Sequence, residues 1–411
     1  MTTSSSRPLA MLRRITRAVG ARAVTFTLVA ILFALAAGVI GSVIPFELRV
    51  ELGQNSVDSL LQIIATAMLT ATTFSITAMV TAYSSATTIA TPRSTKLLIA
   101  DPTSQNALST FVGAFVFALV GIIALSTGYY TEQGRTILFF GTLVIIAMIV
   151  VTLLRWIDHL ARFGRMADVI DRVEDAATRT LVAFAKHPTY GARELRGVPA
   201  DATAVTALEG EYVLNVDVAA LDALAEKHRC EIYVTAIPGT IADRRHPLVH
   251  VRGSVTDDVD RGVRGAFILG RHRDYEQDPR LGVIALAEIG SRALSPSTND
   301  PGTAIEVIAA LQRVFTAALR SREPSGDVEY PHVWIARPSI HELVTDAFRP
   351  LARDGAGFVE VHIRLQKCLQ ALRDTAPDEA AAFRRATEDA VDRAAAVLSR
   401  SDRRAARAAL S

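Results

Sequence analysis

The sequence predicts an α-helical membrane protein with four transmembrane helices and a cytoplasmic α+β domain, and three observations carry that prediction. Four long runs between Ala23 and Leu154 contain no charged side chain. Most of the charge lies in the rest of the chain. The segments joining the runs alternate between basic and acidic or balanced composition, as the two faces of a membrane require. The chain has 411 residues, half of them hydrophobic, with a mean hydropathy of +0.27. That value is high for a soluble protein, and the length leaves room for two or three domains.

The runs are Ala23–Ile44, Leu60–Ala82, Ala107–Tyr129 and Thr136–Leu154, of 22, 23, 23 and 19 residues. A hydrocarbon core of about 30 Å is crossed by roughly 20 helical residues, so each run is long enough. The first exceeds the apolar stretch of a cleavable signal peptide and three further runs follow it, so it is read as a span. Arg7, Arg13, Arg14, Arg17 and Arg22 precede it without any acid. The first loop carries Glu47, Glu51 and Asp58 against Arg49, the second Arg93 and Lys96 against Asp101, and the third Glu132 and Arg135. Arg155, Arg162 and Arg165 follow the last span. Basic residues therefore dominate the first, third and fifth segments, which places both termini in the cytoplasm.

The second span is less oily than the others. Thr66, Thr70, Thr73, Thr77, Thr81, Ser84 and Thr88 follow one another at steps of three or four, so their hydroxyls share one helical face. From Leu60 to Thr91 there is no charge, proline or glycine. The helix can therefore run about 48 Å at 1.5 Å per residue, past the hydrocarbon core, until Pro92 ends it. Two readings of the stripe compete: a packing face that lets helices approach, and a hydroxyl-lined path for ions or small polar solutes. On the first span Ala30, Ala34, Gly38 and Ser42 form a second small-residue stripe, read as helix contact. No ionisable side chain lies within a span, which argues against a proton-driven pump and leaves a passive pore open.

Beyond the spans, Leu160, Phe163, Ala167, Ile170, Ala177, Leu181 and Phe184 recur near heptad spacing, with Asp158–Arg162, Asp168–Arg172 and Asp175–Arg179 as acid-before-base pairs. The last span is expected to continue into this stalk until Pro188. Pro188 to Ala202 reads as a linker. Strand-type runs follow at Glu211–Val216, Glu231–Ile237, Leu248–Val251 and Phe267–Leu269, with a helix at Leu221–His228 and a turn at Pro238-Gly239. Asp278-Pro279 and Asp300-Pro301 open two helices, Asp as cap and Pro in the first turn. The resulting organisation is a cytoplasmic N-terminal segment over 1–22, a four-helix transmembrane domain over 23–154 and a stalk over 155–187. A small α+β module occupies 203–275, a helical cytoplasmic region 278–400 and a fraying tail 401–411.

Chemistry is thinly marked. The net charge of +2 and the lack of a basic run interleaved with aromatics give no footprint for nucleic acid. Cys230 and Cys368 form no metal or redox spacing and read as buried thiols of a reducing compartment. There is no GxxxxGK[ST], HExxH or GxSxG. No catalytic residue, metal site or cofactor is implied. His246 and His250 have no metal geometry in a strand, and Asp257, Asp258 and Asp260 beside Arg261 and Arg264 read as a solvated turn. The loop Ser295-Pro296-Ser297-Thr298-Asn299-Asp300 offers Ser295, Asn299 and Asp300 either as a ligand site beside free helical amides or as caps.

Several of these segments together resemble a bacterial family of predicted membrane proteins, domain of unknown function 2254. They are Phe74-Ser75-Ile76-Thr77, Ser84-Ser85 and Thr91-Pro92-Arg93; Glu211-Tyr212-Val213 with Asp217; Pro238-Gly239; Asp278-Pro279-Arg280-Leu281-Gly282; and Ala293-Leu294-Ser295-Pro296 through Asn299-Asp300-Pro301. The resemblance covers almost the whole chain and implies four spans plus a cytoplasmic domain, with no assigned biochemistry. One departure is Ser297, where the family pattern has glycine, so a loop shape that needs a left-handed residue there is in question. Four lysines against forty arginines, with abundant alanine, also suggest a high-GC bacterial gene.

The expected setting is the bacterial inner (plasma) membrane, with the lipid bilayer and further copies of the chain as partners. Three functions stay open. The first is an oligomeric channel or passive transporter with a cytoplasmic regulatory domain. The second is a membrane-anchored sensor or scaffold acting through that domain. An enzyme ranks last, because no acid–base or nucleophile constellation stands out.

Overall fold

The computed structural model describes residues 19–43, 54–89, 91–99, 101–322 and 328–410. Arg7, Arg13, Arg14, Arg17, Glu47, Arg49 and Glu51 lie outside the described residues, as do the side chains of Arg22, Ser42, Ser85, Thr88 and Lys96. The protein is mostly helical, with several long apolar helices and a smaller sheet-bearing region. It divides into two compact units. Among the described residues, one comprises those of 19–89 and 95–168, and the other comprises Thr91–Ser94 and those of 169–410.

The first unit is built from α1 (Val19–Val43), α2 (Gln54–Ile89), the greater part of α3 (Pro92–Ile99), α4 (Pro102–Ser126) and α5 (Glu132–Arg162). Helix α4 packs against α1, α2 and α5. Small residues permit this: a Cβ on Gly113 would lie 3.5 Å from the Phe26 backbone, and one on Gly121 would lie 2.9 Å from Leu61. Around them Phe111, Phe117, Leu61 and Leu138 form the buried centre. On α1, Ala34 is buried and Gly38 faces the Tyr129 ring, while the Tyr130 hydroxyl donates to Ala34 O at 2.7 Å. Asp101 caps α4 by accepting from Ser104 N at 2.7 Å, and His159 Nε2 of α5 lies 2.9 Å from the same carboxylate.

The expected continuous stalk is corrected by the structure. Helix α5 stops at Arg162, and α6 (Met166–Lys186) starts afresh. Between them Gly164 adopts φ +79°, with Ala82 O so close that a Cβ would meet it at 2.9 Å. A glycine in the left-handed region ends a helix where another residue would be strained.

The second unit carries α6 and two sheets. Its strands are β1 (Ala192–Glu194), β2 (Thr203–Val205), β3 (Glu211–Val216), β4 (Glu231–Val234), β5 (Ile241–Ala242), β6 (Val249–Arg252), β7 (Phe267–Gly270) and β8 (Tyr330–Ile335). The first sheet has the order β1-β8-β4-β6-β2, the second β5-β3-β7. In the first, β8 runs parallel to both β1 and β4, while β4–β6 and β6–β2 are antiparallel. Ile232, Val234, Val249, Val251, Val333 and Ile335 form its core face, with Leu221 and Ala225 of α7 (Val218–His228) in the same cluster as Val259 and Val263 of α8 (Asp257–Ala266).

The elements of this unit differ from three expectations. The stretch 188–202, read as a linker, contains β1. The region 278–400, read as helical, contains β8, so the sheet draws on residues outside 203–275. The acidic cluster at Asp257, Asp258 and Asp260 is the first turn of α8, capped by Thr256, where negative charge favours the helix. Helices α9 (Leu281–Ala293), α10 (Pro301–Arg320), α11 (Ile340–Asp354), α12 (Val359–Thr375), α13 (Ala380–Val397) and α14 (Arg400–Leu410) complete the unit. The last replaces the expected fraying tail: Ser399 Oγ accepts from Asp402 N at 3.1 Å, restarting a helix after α13.

Candidate functional site

Three places hold the residues singled out above or the bonds that organise them. The first is α2. Its buried face comprises Val57, Leu61, Ile64, Ala65, Met68 and Ser75. Thr66, Thr70, Thr73, Thr77, Thr81 and Ser84 all lie on the opposite, exposed face. Exposed Ile63 and Phe74 flank this hydroxyl row on one side, and Leu69, Ile76 and Val80 on the other. Each threonine hydroxyl donates to the carbonyl four residues earlier: Thr66 to Gln62 at 3.0 Å, Thr70 to Thr66 at 2.9 Å, Thr73 to Leu69 at 3.0 Å, Thr77 to Thr73 at 3.0 Å and Thr81 to Thr77 at 2.9 Å. Their donors are thus satisfied within the helix, while each hydroxyl oxygen keeps lone pairs facing outward.

The second is the loop before α10. Thr298 N and Asn299 N donate to Ser295 O at 3.0 and 2.8 Å, and Asp300 N donates to Ala293 O at 2.8 Å. The Ser295 hydroxyl donates to Arg292 O at 2.7 Å. Asp300 accepts from Thr303 N at 3.0 Å and from the Thr303 hydroxyl at 2.5 Å. Those bonds, the hydroxyl's first, hold its carboxyl below the usual aspartate range. The left-handed residue of this loop is Asn299, at φ +50°. Serine at 297 therefore costs the loop nothing, because asparagine two positions later supplies the turn that glycine would otherwise supply.

The third was not apparent from spacing. Asp278 is 2% exposed. It accepts from Arg273 Nε at 2.6 Å and Nη2 at 2.9 Å, and from the amides of Arg280 and Leu281 at 3.0 and 3.1 Å. One carboxylate thus holds the amides leading into α9 and forms a bidentate pair; the N-cap of α9 is Arg280 and Pro279 lies in the preceding turn, which corrects the expectation of Asp278 as cap and Pro279 in the first turn. Gly239, at φ +91°, packs so tightly that a Cβ would lie 2.5 Å from Asp278 Oδ2. Around this pair, Tyr190 donates to Gln277 O at 3.1 Å, and Gln277 Oε1 accepts from Val216 N at 3.2 Å. The Tyr275 hydroxyl donates to Arg93 O at 3.1 Å, while the Tyr275 carbonyl accepts from the Thr180 hydroxyl of α6 at 2.6 Å. Arg280 forms a bidentate pair with Asp346 of α11 at 2.6 and 3.1 Å, and Arg93 pairs with Glu288 of α9.

Burial pushes the Tyr190 and Tyr275 hydroxyls above the usual phenol range, with the Asp278 charge adding to the effect at Tyr190. Both therefore stay protonated and serve as donors. The network orients and holds: it binds the segment Thr91–Ser94, helix α6, the Pro238-Gly239 turn and the start of α9 to one another. Among the described residues no group of three His, Cys, Asp or Glu side chains is placed to hold a metal ion. The sequence signals for this junction, Asp278-Pro279, Pro238-Gly239 and Thr91-Pro92-Arg93, were each legible alone as a cap, a turn or a helix end.

The chain is similar to a family described as "Predicted membrane protein (DUF2254)", whose model matches residues 17–371. It is also similar to uncharacterized proteins of Mycobacterium tuberculosis and Mycobacterium bovis, each 25% identical over 268 residues, covering 60% of this chain and 50% of the relative. The chain thus spans about half the length of the curated relatives it matches. No solved structure matches.

Proposed function

The chain belongs to the DUF2254 family of predicted membrane proteins, and from that premise we propose that it is a four-span protein of the bacterial plasma membrane whose copies surround a polar path. In this reading it acts as a channel or passive transporter, and the unit containing Val169–Ser411 is its regulatory part. Among the described residues five helices are long and apolar enough to cross a membrane: α1, α2, α4, α5 and α10. Helix α10 is set apart by its side chains. It carries Glu306, Arg313 and Arg320, encloses Val307, Ile308, Leu311, Val314 and Phe315 within its own unit, and pairs Arg313 with Glu174 at 2.7 Å. That pattern is a core helix of a water-soluble unit, leaving four spans. The charge distribution of the connecting segments supports cytoplasmic termini.

The observation that carries the path is the placement of the α2 hydroxyls. They face away from every helix of their own unit while large apolar residues border them on both sides. In an assembly of copies, apolar borders pack against neighbours and the hydroxyl row faces the centre. The satisfied threonine donors favour a second reading, in which the row faces lipid and the protein is a membrane-anchored sensor or scaffold. Cysteine scanning decides between them. Single cysteines at Thr66, Thr70, Thr73, Thr77 and Thr81 are expected to react in membranes with a small water-soluble thiol reagent, while cysteines at Leu69, Ile76 and Val80 stay protected. Uniform protection, in both resting and stimulated membranes, favours the scaffold.

A further inference from the structure

The hydroxyl row of α2 does not stop at Thr66. Gln62 and Asp58 extend it at the same four-residue step, and the links are continuous. The Thr66 hydroxyl donates to Gln62 O at 3.0 Å, and Gln62 Nε2 donates to Asp58 Oδ2 at 2.7 Å. An ionised carboxylate only accepts, so Gln62 turns its amide nitrogen toward Asp58 and leaves its oxygen for other partners. Gln62 is exposed and Asp58 partly so. Each step of four turns the row about 40° round the helix, so Asp58 stands toward the border of Leu69, Ile76 and Val80, at the row's end. It is the only charged residue between Gln54 and Pro92. The next one along the chain, Arg93, is paired with Glu288.

The polarity of the row therefore has one sign. Thr66, Thr70, Thr73, Thr77 and Thr81 commit their O–H donors to carbonyls four residues back, so what they present outward is oxygen lone pairs. A solute passing along this face meets acceptors, with a carboxylate at one end. An anion needs donors, which these hydroxyls supply only by abandoning their carbonyls. A cation takes oxygen ligands as they stand. Divalent ions are held mainly through carboxylates, so a lining of neutral oxygens favours them least.

We infer that the path along α2 selects small monovalent cations, with Asp58 drawing them to one mouth and the threonine oxygens lining their way. A carboxylate at a mouth acts through its field and does not have to touch the ion. The inference rests on the hydroxyl row facing a water-filled path, the reading proposed above.

The test uses the full chain in permeabilised membranes at low ionic strength, where charges act over about 30 Å. Thr66→Cys, Thr73→Cys and Thr77→Cys are each modified with two methanethiosulfonate reagents of similar size. One bears a trimethylammonium group and the other a sulfonate, and each rate is divided by that on a free thiol. Cys230 and Cys368, both buried, give no background. The ammonium reagent is expected to react at least tenfold faster at all three positions. D58N, which keeps an oxygen for Gln62, is expected to cut that ratio several-fold at Thr66→Cys. It should cut it less at Thr77→Cys, roughly 28 Å from Asp58 along the helix. T73V beside Thr77→Cys removes an oxygen and keeps the shape, and is expected to slow the ammonium reagent alone. Equal normalised rates, a faster sulfonate reaction, or a ratio indifferent to D58N overturns the cation inference and leaves the path standing. No reaction with either reagent at any of the three positions overturns the path reading, and this inference with it.

Discussion

Gly239 shows how one residue holds a junction. Its left-handed backbone and its contact with Asp278 leave no room for a side chain. Gly239→Ala is expected to lower stability by about 2 kcal/mol, since it adds backbone strain and loosens a buried carboxylate pair. Gly197→Ala is the control, because a Cβ there meets nothing within 4 Å; heat unfolding in detergent should separate the two. At Asp300 the expected cost of Asp300→Ala is about 1 kcal/mol, the loss of a helix cap. The folded carboxyl titrates below its ordinary value. Its contribution is therefore complete above the unfolded aspartate value of about 3.9 and is lost as the pH falls through the lower folded value. Melting of the wild type and of Asp300→Ala should converge in that acid range. Both cysteines are free and buried, and burial pushes the Cys368 thiol up to about 12. Neither should react with a thiol reagent at neutral pH until denaturant is added, when both should be labelled.

Among the elements, the crossing of α6 and α9 rests on Gly282, where a Cβ would lie 2.5 Å from Ala177 Cβ and 2.6 Å from its Cα. Two helices this close tolerate no added volume, so Gly282→Leu should force them apart and cost about 3 kcal/mol, read as a lower melting midpoint with helical content retained in circular dichroism. The elements legible in the sequence are those set by local chemistry. Asp300-Pro301 marks the start of α10 because cap and first-turn residues act within one turn. The runs Glu211–Val216 and Phe267–Leu269 match β3 and β7 to within a residue. Strand β1 was missed because three residues carry almost no periodicity, and its partner β8 lies far along the chain. Gly164 lies between residues of a heptad-like pattern that runs on past it; its left-handed backbone and its contact with Ala82 show why the helix stops.

For the whole molecule, the charge pattern and the long apolar helices give a testable topology. A reporter active only outside the cytoplasm should work when inserted in the turn Gly128–Thr131 and fail when fused after Lys186; activity in the reverse order would refute the orientation. The hydroxyl face of α2 was legible because a helical period needs only one segment. The Asp278 junction was not, because Arg93, Tyr190, Gly239 and Tyr275 converge only when the chain has folded. That same dependence on distant segments governs biosynthesis. Strand β8 lies between β1 and β4, so both neighbours expose unpaired edges until Ile335 leaves the ribosome, about 100 residues after β4. At 5–20 residues per second, that is a wait of roughly 5–20 seconds. During that interval a nascent chain, tethered by its apolar helices, presents two open strand edges, which makes this step the one most in need of a chaperone.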